Sequence, residues 1–112
     1  AGDSKVSTEE IFGPVVCVYP YDDMDEAIER ANALPFSFQA SVFSRDLDTC
    51  LRASQRLDAA AVMVNDHTAF RVDWMPFGGR KNAGLGLGGT DTGVLDMTEE
   101  KLIVLNLRPE VE

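Results

Sequence analysis

The sequence predicts an α/β fold: a βαβαβ unit of parallel strands in three layers, followed by one C-terminal strand. Two observations lead to this prediction. First, runs of strand composition at residues 15–20, 39–44 and 60–65 alternate with two helical patterns, and a last run covers residues 101–107. Second, each segment between the first three runs is long enough for a helical crossover, which joins parallel strands in a right-handed sense.

Local patterns predict the first strand and the first helix. The continuous apolar run VVCVYP at residues 15–20 is typical of a buried strand. Asp23 can cap the helix that follows, and Glu26, three residues later, completes a capping-box pattern. Pro35 ends this helix. Its predicted buried face consists of Met24, Ala27, Ile28 and Ala31.

The same alternation continues through the next two strands. The run QASVFS at residues 39–44 places successive side chains on opposite faces of a strand, and AAVMVN at residues 60–65 is again continuously apolar. Between these runs, Asp46 can cap a second helix. The predicted buried face of that helix consists of Leu47, Cys50, Leu51 and Ser54.

Composition excludes several classes of function. The chain of 112 residues has 10 basic and 19 acidic side chains, for a net charge of −9. Nucleic acids and anionic membranes require a basic face, so neither is an expected partner. No apolar run approaches the roughly 20 residues of a membrane span, and no signal-peptide pattern opens the sequence, which predicts a cytoplasmic location. No metal site is predicted.

The segment from Asp66 to Asp96 loses helical and strand periodicity and contains seven of the nine glycines. Irregular segments of this length are usually functional or disordered, and the aromatic residues here favour an ordered segment. Three of the glycines satisfy the pattern G-x-G-x-x-G. No strand precedes that pattern, so a tight turn is favoured over a phosphate-binding loop.

Three blocks carry a resemblance to a known family: EEIFGPV at residues 9–15, VNDHTAF at residues 64–70 and MPFGGRKNAGLG at residues 75–86. In this order and spacing, together with ASVFSRD and MTEEK, they resemble the C-terminal part of the aldehyde dehydrogenases. The resemblance implies that residues 1–97 are a C-terminal segment of the catalytic domain. Residues 98–112 would be the terminal oligomerisation strand and tail.

The resemblance assigns a cofactor role to the first block. In the family, the Glu of E-x-F-G-P hydrogen-bonds the ribose hydroxyls beside the nicotinamide, and the Phe packs against the nicotinamide. The matching residues are Glu10 and Phe12. The cofactor expected in the full-length enzyme is therefore NAD or NADP.

The other two blocks match the family's aldehyde tunnel. The tunnel-lining positions correspond to Thr68, Phe70 and Phe77. Asn65 matches an Asn at a strand end that helps to hold the tunnel loop, and Gly78 and Gly79 match structural glycines. Arg71 hints at a phosphorylated, sulfonated or carboxylated aldehyde, although a surface salt bridge is the favoured interpretation of this residue.

The implied activity is oxidation of an aldehyde to a carboxylic acid through a thioester on a Cys. The family's nucleophilic Cys, its Glu base and its dinucleotide domain lie upstream of these blocks, and neither Cys17 nor Cys50 matches the nucleophile's motif. We therefore expect an enzyme fragment that is inactive alone. Its expected partners are a small aldehyde, the upstream part of the enzyme and further copies in a homo-oligomer. The alternative is a free-standing non-catalytic module of this fold that dimerises or binds a ligand.

Overall fold

Helices and strands occupy about two-fifths of residues 4–107, the part of the chain that the computed structural model describes. In chain order they are α1 (Lys5–Thr8), α2 (Met24–Asn32), β1 (Phe36–Ser37), β2 (Gln39–Val42), α3 (Leu47–Arg56), β3 (Ala61–Val64), β4 (Arg80–Lys81) and α4 (Thr90–Asp96).

A parallel βαβ unit lies at the centre of the structure. Strands β2 and β3 pair in parallel, with Gln39 opposite Ala61 and Val42 opposite Val64, and α3 forms the crossover between them. The predicted N-caps of the two long helices are confirmed. The Asp23 carboxylate accepts from the Asp25 amide at 2.9 Å, and the Asp46 carboxylate accepts from the Thr49 amide at 2.8 Å.

The core of this unit is small. Its buried residues are Ile28 of α2, Val42 of β2, and Cys50 and Ala53 of α3. Three partly buried side chains pack against them: Met24, Leu57 and Val62. The predicted face of α2 is confirmed at Ile28 but not at Ala31, which is exposed. That of α3 is confirmed at Cys50 but wrong at Leu47 and Leu51, which are 68% and 51% exposed, and Ala53 is buried instead. Cys50 and Ala53 pack in the core, whereas no further layer of the described chain covers the two leucines.

A second, shorter sheet joins the glycine-rich segment to the chain before β2. Strands β1 and β4 are antiparallel, with Phe36 opposite Lys81 and Ser37 opposite Arg80. The segment between Asp66 and Asp96, predicted to be irregular, thus contains both β4 and α4. Their short lengths of two and seven residues explain why periodicity did not predict them.

Two predicted strands are absent from the described residues. Residues 15–20 and residues 101–107 form no strand, so the structure contains the second half of the predicted βαβαβ unit, and the C-terminal strand prediction is wrong for this chain. The physical reason is the same at both places. A strand exists only when a neighbouring strand pairs its N–H and C=O groups, and no described strand pairs with either run.

The molecule is consequently elongated. Its extents are 87 × 33 × 23 Å and its radius of gyration is 22.0 Å, whereas a compact chain of this length would have about 13 Å. Apolar side chains are exposed along the N-terminal arm (residues 9–20) and the C-terminal arm (residues 98–107). Continuous apolar surface of this kind marks a place where other protein binds.

No helix within residues 4–107 is both long and apolar enough to cross a membrane. The predicted boundary between the catalytic segment and the terminal strand, after residue 97, lies just beyond the end of α4. It stays a prediction. The last five residues of the predicted tail, 108–112, lie outside the described residues.

Candidate functional site

Glu10 lies at the start of the N-terminal arm, directly after the short helix α1. Its exposed side chain lines a cleft of about 640 Å³, whose opposite wall includes Asn32, Ser37 and Asn82. Among residues 4–107, nothing donates a hydrogen bond to the Glu10 carboxylate or forms an ion pair with it. Both of its oxygens are therefore available to accept hydrogen bonds from a ligand.

Phe12 forms the corner of the arm in an unusual conformation. Its φ is 51°, in the left-handed region that non-glycine residues rarely occupy, and its side chain is 91% exposed. The Val15 amide donates to the Gly13 carbonyl at 2.7 Å, which closes a tight turn around Pro14. This turn fixes the direction in which the arm leaves the corner.

Asn65 ties the end of β3 to the end of β2. Its side-chain amide donates to the Ser44 carbonyl at 2.9 Å, and its side-chain oxygen accepts from the Ser44 amide at 2.9 Å. Its backbone amide also donates to the Val42 carbonyl at 2.8 Å. With a φ of 57°, Asn65 turns the chain away from the sheet. These contacts fit the loop-holding role that the resemblance implies.

The loop after Asn65 folds into a turn around His67. The His67 Nδ1 atom accepts from the Ala69 amide at 3.1 Å, and the His67 carbonyl accepts from the Phe70 amide at 3.2 Å. Thr68 is exposed at the tip of this turn. Phe70 is half-exposed and lines a shallow cleft beside β3 and Met75.

Phe77 lies at the centre of a small aromatic group. Its ring meets Phe38 edge to face, with ring centroids 5.0 Å apart, and its backbone pairs with Gly88 through hydrogen bonds of 2.8 and 2.6 Å. The Arg71 guanidinium carbon lies 4.2 Å from the Phe77 centroid, within the range of a cation–π interaction. No salt bridge within the described part of the chain involves Arg71, so the favoured sequence interpretation of this residue is wrong.

Gly78 and Gly79 follow Phe77 at a point where backbones are in close contact. A side chain at Gly78 would collide with the Gly86 carbonyl, and one at Gly79 would collide with the Ala83 carbonyl. Gly84 in turn packs against the backbone of Gly79. The backbones at Gly78, Gly79 and Gly84 therefore approach one another closely because these residues have no side chain.

Sequence analysis assigned no role to Lys81, whose contacts are extensive. Its ammonium group donates to the carbonyls of Asn32 and Leu34 at 2.7 and 3.1 Å and lies 3.2 Å from the Asp58 carboxylate. Helix and strand periodicity could not predict these contacts, because the partners lie more than twenty residues from Lys81 in the sequence.

The predicted site residues fall into two groups that the chain does not bring together. Glu10 and Phe12 line clefts against the N-terminal arm. The tunnel residues Phe70 and Phe77 lie around the glycine-rich segment, and no cleft found in the described chain contains members of both groups. The chain thus offers two partial surfaces rather than one closed site.

The charged groups with shifted pKa values lie outside both surfaces. Hydrogen bonds from Arg52, and then from Arg56, lower the pKa of Asp25, and hydrogen bonds from the Thr49 hydroxyl and amide lower the pKa of Asp46. The Asp46 carboxylate caps α3, and the Asp25 carboxylate joins α2 to α3. Within residues 4–107, no cluster of His, Cys, Asp or Glu side chains is placed to hold a metal ion.

Known proteins resemble this chain over most of its length. The family profile described as "Aldehyde dehydrogenase family" matches residues 1–103. The chain is 42% identical, over 105 residues, to the 3-sulfolactaldehyde dehydrogenase of Priestia aryabhattai. That match covers 94% of this chain and 22% of the relative, so the chain spans about a fifth of that relative's length.

Solved structures show the same likeness. An NADP-dependent glyceraldehyde-3-phosphate dehydrogenase from Bacillus halodurans, complexed with NADP, superimposes with a TM-score of 0.89 at 36% identity, covering 96% of this chain and 23% of its own. Aldehyde dehydrogenase 21 from Physcomitrella patens, in complex with the reaction product succinate, gives 0.86 at 35% identity, covering 94% and 22% respectively.

Proposed function

This chain belongs to the aldehyde dehydrogenase family, and we propose that it is one part of a larger NAD- or NADP-dependent enzyme that oxidises an aldehyde to a carboxylic acid. Within that enzyme, Glu10 and Phe12 orient the nicotinamide end of the cofactor. The chain also supplies one wall of the aldehyde tunnel, consisting of Thr68, Phe70 and Phe77.

Length and chemistry support the proposal that the chain is a part. It spans about a fifth of its relatives, and neither cysteine is placed to attack an aldehyde. Cys50 is buried in the core, and the Cys17 thiol donates to the Val6 carbonyl at 3.4 Å, away from the tunnel residues. We therefore place the nucleophilic Cys and the general base outside residues 1–112.

We further propose that this part is the C-terminal one, because its sequence blocks follow the order and spacing of the family's C-terminal catalytic segment. The gene tests this directly. An open reading frame that extends upstream of Ala1 for most of the relatives' length and stops near Glu112 would support it. A frame that extends for that length beyond Glu112 would place the part at the N-terminal end and contradict the proposal.

The observation that carries the cofactor assignment is the corner formed by Glu10 and Phe12. A carboxylate without a protein partner can accept two hydrogen bonds from a diol such as the ribose hydroxyls. Strained backbone at an exposed aromatic residue, such as Phe12 at φ 51°, often marks a ligand contact. When bound, the nicotinamide accepts a hydride, and Phe12 would limit how far its ring can swing.

Arg71 supports an aldehyde that carries an anionic group. Its guanidinium lies on Phe77 and has no carboxylate partner among residues 4–107, so its donors are available to a carboxylate, phosphate or sulfonate. Two of the similar proteins are named for 3-sulfolactaldehyde and glyceraldehyde-3-phosphate, and the third was solved with its reaction product succinate; all three compounds are anionic. We propose the same substrate class for the enzyme that contains this chain.

A matched pair of variants in the whole enzyme tests the Glu10 assignment. Glu10→Gln should slow single-turnover hydride transfer about a hundredfold, because a misplacement of about 1 Å at a reacting centre can cost that much. Cofactor affinity should change much less, since most contacts to the cofactor lie elsewhere. Glu9→Gln removes the same charge from the same cleft and should leave the rate near wild type. A wild-type rate in Glu10→Gln would overturn the assignment.

A further inference from the structure

We propose that Lys81 and Asp58 are positioning residues for the aldehyde tunnel. With Asn32 they form a latch that fastens the segment carrying Phe77 to the ends of α2 and α3. The kinetic consequence of this inference rests on the proposed function, whereas its structural consequence does not.

Lys81 uses its full donor capacity in the latch. An ammonium group has three N–H donors, and three oxygens surround this one: the carbonyls of Asn32 and Leu34 and the Asp58 carboxylate. The two carbonyls lie at the C-terminal end of α2, where backbone acceptors lack partners within the helix. A cation is also favoured there by the helix dipole.

Asp58 connects the same point to α3. It follows the α3 C-cap, and its carboxylate forms salt bridges with both Arg80, at 3.0 Å from Nε, and Lys81. The Asp58 amide donates to the Asn32 side-chain oxygen at 2.8 Å, and the Asn32 side-chain amide donates to the Arg56 carbonyl at 2.8 Å. The ends of two helices and the strand β4 thus meet at one hydrogen-bonded cluster.

The backbone of Lys81 shows that these contacts constrain it. Its φ is 52°, in the left-handed region that is unfavourable for a residue with a long side chain. Such a conformation persists only where the surrounding structure requires it. Here the requirement comes from the side-chain contacts and from the pairing of Lys81 with Phe36 in the second sheet.

The latch acts on Phe77 through a short, tightly packed connection. Gly78 and Gly79, which link Phe77 to β4, pack so closely against the Gly86 and Ala83 backbones that neither position has room for a side chain. On the other side, β1 leads within two residues to Phe38, the ring that meets Phe77 edge to face. Fastening β4 to β1 therefore sets the position of Phe77 against Phe38, and of Arg71 on Phe77.

The kinetic test uses Lys81→Met in the whole enzyme, because methionine keeps the apolar stem and removes the donors. The KM for an anionic aldehyde should rise on the order of tenfold, with kcat and the cofactor KM unchanged, since a displaced Phe77 and Arg71 weaken substrate and transition-state binding alike. Arg80→Met is the matched control: Arg80 pairs with the same Asp58, but its side chain is 54% exposed and, within residues 4–107, forms no hydrogen bond or ion pair with α2. Its KM should stay within about twofold of wild type, given the small contribution of exposed ion pairs.

Hydrogen exchange provides a readout that does not depend on activity. In Lys81→Met, the amides of Phe77 and Gly88 should exchange faster, while the α3 amides of Cys50 and Ala53 keep their wild-type rates. Lys81→Arg, which retains the charge and donors, should restore part of the protection. If Lys81→Met fails to fold, Asp58→Asn serves in the same comparison.

Three results would overturn the proposal: unchanged exchange at Phe77 and Gly88, equal acceleration in α3, or an equal KM change in Arg80→Met. A wild-type enzyme that oxidises no aldehyde would refute the proposed function instead, and the exchange comparison would still decide whether the latch exists.

Discussion

The βαβ unit and the two arms are similarly apolar in sequence, yet only the βαβ unit buries its apolar side chains. Ile28 of α2, which packs against that unit, is 4% exposed because it lies in one cluster with Val42 of β2 and with Cys50 and Ala53 of α3. In the C-terminal arm, Ile103 is 67% exposed because no described segment covers it. The difference lies in the neighbours that the fold supplies, because the two arms have similar side chains but no covering segment among residues 4–107. This agrees with the proposal that the chain is one part of a larger enzyme.

The largest expected effect is the loss of folding stability in Ile28→Ala, for which Ile103→Ala is the comparison. In the 112-residue chain, Ile28→Ala should lower the free energy of unfolding by about 2–5 kcal/mol, because it removes buried atoms and leaves a cavity. Ile103→Ala should stay within about 0.5 kcal/mol of wild type, as exposed substitutions do. Urea unfolding followed by circular dichroism measures both.

The same two variants can also be compared in the whole enzyme. If other parts of the enzyme cover the C-terminal arm, Ile103→Ala should become clearly destabilising there. Equal, near-zero effects of Ile103→Ala in both contexts would show that the arm is exposed in the enzyme as well.

The second-largest expected effect is on self-association of the isolated 112-residue chain. Residues 101–107, KLIVLNL, carry apolar side chains on both faces and unpaired backbone groups, an arrangement that recruits another strand. The chain should therefore self-associate, and the double variant Val104→Lys, Leu105→Lys should weaken this by placing a charge on each face. Sedimentation that finds a strictly monomeric wild type at about 100 μM, well above micromolar affinity, would contradict the prediction.

The smallest effect concerns the surface of the βαβ unit. The Arg52 and Arg56 hydrogen bonds lower the pKa of Asp25 below its ordinary value of 3.8. The ionised form is thus favoured in the folded state, so this contribution to stability is present above the unfolded pKa of about 3.9 and is lost as the pH falls through the lower folded pKa.

Asp25→Asn should reduce the urea midpoint slightly at pH 7 and leave it unchanged at a pH below the folded pKa of Asp25. Since the pair is partly exposed, added salt should weaken the effect. Asp48→Asn is the control, because Asp48 likewise lies in the first turn of a helix. An equal loss in both variants would assign the effect to the helix dipole rather than to the arginines.

Structural features that depend on residues close together in the chain were predictable from the sequence. The caps Asp23 and Asp46 and the buried positions Ile28 and Cys50 follow from spacing within a few residues. The parallel sense of β2 and β3 follows from the length of the helical crossover between them. The cofactor roles of Glu10 and Phe12 came from the resemblance rather than from any periodicity, and they stay predictions.

Local sequence did not predict which apolar runs form strands or which distant side chains come into contact. The runs at 15–20 and 101–107 have strand composition, but a strand needs hydrogen-bonding partners that local sequence does not specify. Likewise, the contacts of Lys81 with Asn32 and of Phe77 with Phe38 join residues 49 and 39 positions apart. Contacts between such distant positions depend on how the chain folds back on itself, and helix or strand periodicity describes only relations within one element.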